Sequence, residues 1–133
     1  MKNKNLEQMR RDKLREAQLK MLGILEEIDK LCRAHNISYW IEGGTLLGAL
    51  RHGGFIPWDD DVDISMLRSD YDRFIEVAAK ELPPHLFLQT RKTDPSFHRR
   101  ECKVRDLNAF IADGGDDTGA DYQKGLFVDV FPY

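Results

Sequence analysis

Four carboxylates fall within five positions of this chain, at Asp59, Asp60, Asp61 and Asp63. Residues two apart on a β-strand share a face, so Asp61 and Asp63 are predicted to point the same way while Val62 points into the core. Two ionised carboxylates at that separation repel each other, and a bound divalent cation removes the repulsion. Hard oxygen ligands suit Mg²⁺ or Mn²⁺. The cluster therefore predicts a metal site, with an acidic surface turn as the alternative.

A second feature is the turn Gly43-Gly44-Thr45, which follows a predicted strand and opens a predicted helix. Backbone amides at such a turn can face a phosphate group, and the helix N-terminus favours negative charge. Alone, a Gly-Gly pair is usually only a turn. Beside the carboxylates, it provides what phosphoryl transfer needs, namely positioning of the phosphates and neutralisation of their charge.

Asp129 is a third candidate, because it lies inside the otherwise apolar segment Leu126–Phe131. An isolated buried carboxylate is costly. Asp129 is therefore expected either to have a partner or to complete the metal site. An Asp at a strand edge, facing water, is the alternative.

Basic residues that could contact a diphosphate lie near these motifs. Arg51 and His52 precede the acidic cluster. Lys103 and Arg105 share one face of a predicted strand, because side chains alternate with a period of two. For each of these residues, a solvated surface charge is the alternative interpretation.

The elements that must position these groups follow from the hydrophobic spacing. Apolar residues recur every three or four positions at Leu14, Ala17, Met21, Leu25, Ile28 and Leu31. This spacing predicts a long helix from near Leu6 to a stop at His35-Asn36. Thr45 is predicted to cap a short helix over Leu46–Arg51, and a capping box at Ser69–Asp72 to open a helix ending near Glu81.

Alternating or apolar runs predict the strands Ile37–Ile41, Asp61–Met66, His85–Gln89, Glu101–Arg105, Ala109–Ala112 and Leu126–Phe131. The Gly- and Asp-rich stretch Asp113–Lys124 is predicted to be an exposed loop. Together these elements predict a mixed α+β protein, in which a helix over residues 1–36 packs on a core formed by residues 37–133.

Composition limits the class of protein. The chain has 133 residues, with 20 basic and 23 acidic side chains and a formal net charge of −3, which does not favour nucleic acid as a partner. Cys32 and Cys102 match neither a zinc site nor a disulfide framework, so they are predicted to be free thiols. The chain lacks a long apolar run and a signal-peptide core, which predicts a cytoplasmic protein. Peripheral association of its basic N-terminal helix with anionic lipid at the inner membrane surface stays open.

The segment Tyr39–Ile64 reads YWIEGGTLLGALRHGGFIPWDDDVDI and closely resembles the LicD family, whose core is shared by fukutin-type phosphotransferases. A weaker resemblance extends from about Leu14 through Cys32 and again over Phe127–Pro132. It covers nearly the whole chain. The resemblance implies a nucleotidyltransferase fold with a mixed sheet flanked by helices. It also implies transfer of a phospho-alcohol, such as phosphocholine, from a CDP-linked donor to a hydroxyl of a glycan or lipid-linked glycan.

By this resemblance, Asp61, Asp63 and Asp129 are the catalytic, metal-binding carboxylates, with Mg²⁺ or Mn²⁺ as the cofactor. The residues expected near the donor are Gly43, Gly44, Thr45, Arg51, His52 and Lys103. Family members usually continue well beyond the Asp129 segment. We therefore expect the chain to be either an incomplete fragment of such an enzyme or a reduced protein without transferase activity.

Two alternatives to a LicD-type phosphotransferase remain. One is an enzyme that transfers a nucleoside monophosphate and releases pyrophosphate, whereas a phosphotransferase releases the nucleoside monophosphate. The other is a domain that binds a nucleotide or a protein partner without turnover.

Overall fold

The computed structural model describes residues 2–110 and 125–133. The helices within these residues are α1 (Lys2–Ala34), α2 (Gly43–His52) and α3 (Arg68–Glu81). The strands are β1 (Trp40–Ile41), β2 (Asp63–Met66), β3 (Leu86–Gln89), β4 (Cys102–Phe110) and β5 (Gly125–Pro132). This architecture confirms the predicted mixed α+β class with a long N-terminal helix.

The five strands form one sheet in the order β1-β2-β5-β4-β3. The central neighbours β2 and β5 are parallel, and the three other pairings are antiparallel. The chain leaves β2 through α3, β3 and β4 before it returns as β5. The parallel pairing therefore brings together two segments that are far apart in sequence.

One face of the sheet carries the apolar core. Its buried side chains come from α1, α3 and alternate positions of the strands. The members from α1 include Met21, Ile24 and Ile28, which follow the helical spacing of the sequence. The strands contribute residues such as Ile64 and Val130. Because side chains alternate along a strand, their neighbours at odd positions of β2 and β5 point to the opposite face.

The helix ends differ in part from the predictions. Asn36 adopts the left-handed conformation predicted for the end of α1, with φ of 53°. The amide of Ile37 then donates to the carbonyl of Cys32 at 2.8 Å, a bond typical of a helix C-terminus. Ile37 therefore completes the helix end, and the strand predicted to start there begins only at Trp40.

Two predicted helix caps are wrong. Helix α2 begins at Gly43, and its N-cap residue is Glu42, whose backbone is extended. The Thr45 hydroxyl accepts a bond from the amide of Asp63 instead of capping the helix. Helix α3 begins at Arg68, with no side-chain cap from its flanking residue Leu67. The capping box predicted to start at position 69 therefore falls within the first turn.

Two strand boundaries also change. The prediction of a strand starting at Asp61 is wrong by two residues, since β2 begins at Asp63. The predicted strands 101–105 and 109–112 belong to the single strand β4, whose pairing with β5 is irregular between Arg105 and Phe110. Positions 111 and 112, and the predicted loop 113–124, lie outside the described residues.

Both cysteines, Cys32 and Cys102, are buried free thiols, as predicted. None of the helices in residues 2–110 and 125–133 combines the length and apolar character needed to cross a bilayer.

Candidate active site

Asp63 and Asp129 are direct partners in the parallel pairing of β2 with β5. Neighbouring strands lie about 4.8 Å apart, and paired residues share a face of the sheet, so the two carboxyl groups face each other. Burial raises the pKa of Asp63 to about 7, and the charge of Asp129 and a hydrogen bond with it act in the same direction. The pair therefore favours a proton on Asp63 at pH values at which an exposed aspartate would be ionised.

Lys103 lies on the other side of Asp129, as its partner in the pairing of β4 with β5. Its Nζ donates to Asp129 Oδ1 at 2.5 Å and lies 3.7 Å from the centroid of the Phe127 ring. The side chain is completely buried. Burial raises the pKa of Asp129, and the Lys103 ammonium partly opposes that rise. Lys103, predicted to lie near the donor, is thus already engaged with a candidate metal-binding carboxylate.

These residues belong to a polar row that crosses four strands. Asp63, Asp129, Lys103 and Gln89 are successive partners across β2, β5, β4 and β3. Gln89 Oε1 accepts a bond of 2.7 Å from Arg105, whose guanidinium also donates to a backbone carbonyl of β5. The face opposite the apolar core is therefore held by charged and amide groups with defined partners.

The acidic loop Asp59–Asp61 approaches this row from outside the sheet. Its three carboxylates each place an oxygen within 4.8 Å of the others, and Asp59 Oδ1 accepts a bond of 3.3 Å from the amide of Asp61. The charges of Asp61 and Asp59 raise the pKa of Asp63 further. The sequence had predicted that Asp61 and Asp63 share a strand face. This prediction is wrong, because Asp61 lies in the loop before β2 and acts on Asp63 from there.

Gln18 of α1, which sequence analysis did not identify, fixes the acidic loop. Its side chain is 1% exposed, and its Nε2 donates to the carbonyls of Asp59 at 2.8 Å and Ile56 at 3.3 Å. A signal was present, because Gln18 occupies a position of the apolar stripe of α1, four residues after Leu14 and three before Met21. A polar residue at such a position needs a buried partner.

The Gly-Gly turn begins α2 beside the carboxylates. Gly43 has φ of +57°, so the conformational freedom of glycine is needed there and not at Gly44. A Cβ built on Gly44 would lie 2.7 Å from Asp59 Oδ2. The flanking residue Glu42 makes no side-chain cap bond to α2, and Thr45 ties the helix to the start of β2 by accepting a bond of 3.0 Å from the Asp63 amide.

Arg51 and His52 lie in the last turn of α2, about 10 Å along the helix axis from Gly44 at 1.5 Å per residue. Both are exposed, and the His52 ring meets Trp58 edge-on at a centroid distance of 6.3 Å. The structure therefore does not bring these two residues to the turn that was predicted to hold the same ligand.

Comparison with known proteins connects this site to one family. A family model described as LicD/FKTN/FKRP, nucleotidyltransferase domain, matches residues 36–133. Over 126 residues the chain is 39% identical to the lipopolysaccharide cholinephosphotransferase LicD of Haemophilus influenzae, in a match that covers 94% of this chain and 46% of that protein. Over 57 residues it is 47% identical to human ribitol 5-phosphate transferase FKRP, with 43% of this chain and 10% of that protein covered.

The chain spans about half the length of the Haemophilus protein and a smaller share of the human one. The family match nevertheless contains the glycine turn, the acidic loop and both strands of the Asp63–Asp129 pair. On this extent of agreement, the chain belongs to the LicD/FKTN/FKRP family.

Proposed function

We propose that this chain is the catalytic part of a metal-dependent phosphotransferase. It would move a phospho-alcohol, such as phosphocholine, from a CDP-linked donor to a hydroxyl of a glycan or lipid-linked glycan. The observation that carries the proposal is the facing pair Asp63–Asp129 on neighbouring parallel strands. Support also comes from the similarity to a protein named as a lipopolysaccharide cholinephosphotransferase.

The carboxylate oxygens of this site fit a divalent cation. Desolvation and the neighbouring carboxylates raise the pKa of Asp63 to about 7, so the negative charge at this point favours any bound positive charge, whether a proton or a metal ion. Asp63, Asp129 and Asp61 would hold Mg²⁺ or Mn²⁺ through oxygen atoms, the ligands these cations prefer. When bound, the metal would supply neutralisation of the donor diphosphate and of the charge that develops during transfer.

The other parts of the site would position the donor. The uncapped amides at the start of α2 can receive phosphate oxygens, because a helix N-terminus carries partial positive charge. Gly44 lets the Asp59 carboxylate approach the start of α2 closely, since a Cβ at this position would lie 2.7 Å from Asp59 Oδ2. Thr45 and Lys103 would act as positioning residues, the first on the backbone of Asp63 and the second on the carboxylate of Asp129.

In the proposed reaction, the acceptor hydroxyl oxygen forms a bond to the phosphorus of the phospho-alcohol, and the bond from that phosphorus to the CMP oxygen breaks. The hydroxyl proton passes to a carboxylate of the acidic loop outside the proposed ligand set, for which Asp59 is the candidate. The products are the glycan carrying the phospho-alcohol and CMP. An enzyme that transferred the nucleotide itself would instead use a nucleoside triphosphate and release pyrophosphate.

The metal site is tested by measuring Mn²⁺ affinity for the parent, Asp63→Asn, Asp129→Asn and the double variant. We expect each single substitution to weaken binding and the double substitution to cost less than the sum, because residues that share one ligand act as a unit. Asp72→Asn, an exposed substitution on α3, is the control and should bind normally. Unchanged affinity in the double variant would exclude this site.

The reaction is tested with CDP-choline, Mg²⁺ and a glycan acceptor, by chromatography of the nucleotide products. Release of CMP that depends on the acceptor is the expected result. Pyrophosphate release from CTP, without CMP release from CDP-choline, would favour the nucleotidyl-transfer alternative and contradict the proposal.

A further inference from the structure

A groove of about 1340 Å³ opens between α3, the end of β3 and the segment that leads into β4. Cationic side chains dominate its charged lining: Arg68, Lys80, Arg91, Lys92, Arg99 and Arg100 stand against two carboxylates, Glu76 and Glu101. The whole chain has a formal net charge of −3. The groove is thus a local concentration of positive charge on an acidic protein.

Three of these cations are available to a ligand. Arg99 pairs with Glu101 at 3.7 Å, Arg91 donates to the carbonyl of His98 at 3.0 Å, and Arg68 lies over the Tyr71 ring, 5.5 Å from its centroid. Lys80, Lys92 and Arg100 are exposed, and their charged ends have no ion-pair partner among residues 2–110 and 125–133. Gathering like charges in one concave surface is unfavourable by itself, and an anionic ligand would offset that repulsion.

The floor of the groove is apolar. It is formed by Ile75, Ala79 and Leu88, with Phe131 and Pro132 at the end of β5. Sites for organic ligands combine such apolar surface with a few polar groups that fix orientation. The floor therefore fits an extended organic molecule that carries anionic groups better than it fits a small inorganic anion.

The groove also lies next to the candidate active site. Phe131 is two residues after Asp129 in β5, a distance of about 7 Å along a strand. Glu101 is two residues before Lys103, and its charge contributes to the raised pKa of Asp129. A chain lying in the groove could therefore present one of its groups to the carboxylates while the rest stayed bound to the cations.

We infer that this groove binds the acceptor, and that the acceptor is a glycan carrying phosphate groups that pair with Lys80, Lys92 and Arg100. That the acceptor is a glycan rests on the proposed function. That it carries phosphate groups rests on the positive charges of the groove. The acidic balance of the chain disfavours nucleic acid. The concave shape disfavours a flat lipid headgroup surface, which basic residues contact from the outside.

The first experiment measures binding of short-chain inorganic polyphosphate in EDTA, which keeps metal ions out of the carboxylate site. The triple variant Lys80→Gln, Lys92→Gln, Arg100→Gln is compared with Arg11→Gln, Lys13→Gln, Lys20→Gln, which changes the net charge equally on α1. We call the first triple variant the groove variant and the second the α1 variant. The Kd of the groove variant for polyphosphate should rise roughly tenfold. The slope of log Kd against log salt concentration should decrease by about three, one for each lost phosphate contact. The α1 variant should bind like the parent. Equal losses in the two variants would overturn the inference.

The second experiment identifies the anion. A phosphomonoester-bearing oligosaccharide should bind the parent, and the same oligosaccharide after phosphatase treatment should bind at least tenfold more weakly. Tighter binding of DNA, poly-glutamate or phosphatidylglycerol vesicles at equal anionic charge would overturn the glycan assignment.

A final measurement separates this inference from the proposed function. The groove variant should bind CDP-choline with Mg²⁺ as tightly as the parent, and a loss would assign the groove to the donor and overturn the inference. If the parent itself fails to bind any CDP-linked phospho-alcohol with Mg²⁺, the proposed function is refuted, while the polyphosphate comparison still decides whether the groove is an anion site.

Discussion

Replacing Lys103 by Met removes the ammonium that pairs with Asp129 while keeping an unbranched side chain of similar length. The Lys103 side chain is completely buried, and its Nζ lies 2.5 Å from Asp129 Oδ1. In the variant, Asp129 would keep Asp63 as a neighbour without the opposing positive charge. We therefore expect Lys103→Met to destabilise the fold strongly, although it leaves the apolar core untouched.

The expected loss is about 3 kcal/mol at pH 7, at the lower end of the roughly 3–5 kcal/mol found when one partner of a buried ion pair is removed. The lower end applies because Asp129 can bind a proton, and burial already raises its pKa. Proteins of this size are stable by roughly 5–15 kcal/mol, so the loss is a large share of the total. It should be smaller at pH 5 than at pH 7, because the raised pKa of Asp129 lets a larger fraction of it bind a proton at the lower pH.

Urea unfolding in EDTA at both pH values provides the measurement, on Lys103→Met, Asp129→Asn and the double variant. The double variant should lose less than the sum of the single losses by about 0.5–3 kcal/mol, as expected for residues in direct contact. Lys80→Met is the control, because a surface substitution of this kind usually changes stability by about 0.5 kcal/mol or less. Additive losses, or a loss in Lys103→Met no larger than in this control, would refute the reasoning.

Four further outcomes are expected. Because the pKa of Asp63 rises from 3.8 to about 7 on folding, the metal-free folded state binds an extra proton between these values, so its free energy of unfolding should fall as pH rises through this range; Asp63→Asn should reduce that fall in urea titrations. Gly48→Ala should destabilise by about 1–3 kcal/mol, since its Cβ would lie 2.4 Å from a backbone carbonyl oxygen, whereas Gly23→Ala, with nothing within 4 Å, should raise the melting temperature. Gly44→Ala should fold normally but bind Mn²⁺ more weakly in titration calorimetry, because its Cβ would displace Asp59, 2.7 Å away, and with it the proposed ligand Asp61, whose amide donates to Asp59; unaltered affinity would contradict this. Gln18→Leu should lose about 1–3 kcal/mol in thermal denaturation by leaving buried carbonyls unpaired, and a neutral effect would mean that the loop is fixed by other contacts.

Local patterns were enough to predict most of the elements and the need for a partner at Asp129. Its carboxylate stands in an apolar strand, and burial of a lone charge is costly wherever the strand lies. The helical spacing that includes Met21 and Ile28 likewise predicted much of the buried face of α1, and the structure adds Ile24, which is buried as well. These inferences depend only on neighbours in the sequence, so they needed no knowledge of the topology.

The partners themselves could not be predicted in the same way. Lys103 and Asp129 are 26 residues apart, and Gln18 and Asp59 are 41 apart. Which residues face each other across a sheet depends on strand order and register, and a shift of one residue would turn the side chain to the other face. The Thr45 cap was wrong for a similar reason, because the hydroxyl binds an amide 18 residues away.

The distribution of charge around the central strands explains where a cation is expected. The fold places two carboxylates side by side on β2 and β5 and supplies Lys103 on the Asp129 side alone. Burial raises the pKa of Asp63, and its acidic neighbours Asp129, Asp61 and Asp59 raise it further. The uncompensated negative charge therefore lies on the side of Asp63 that faces the acidic loop and the start of α2. A divalent cation bound there would neutralise Asp63 and Asp61 and present its remaining coordination positions to a diphosphate, whereas one bound beyond Asp129 would be repelled by the buried ammonium.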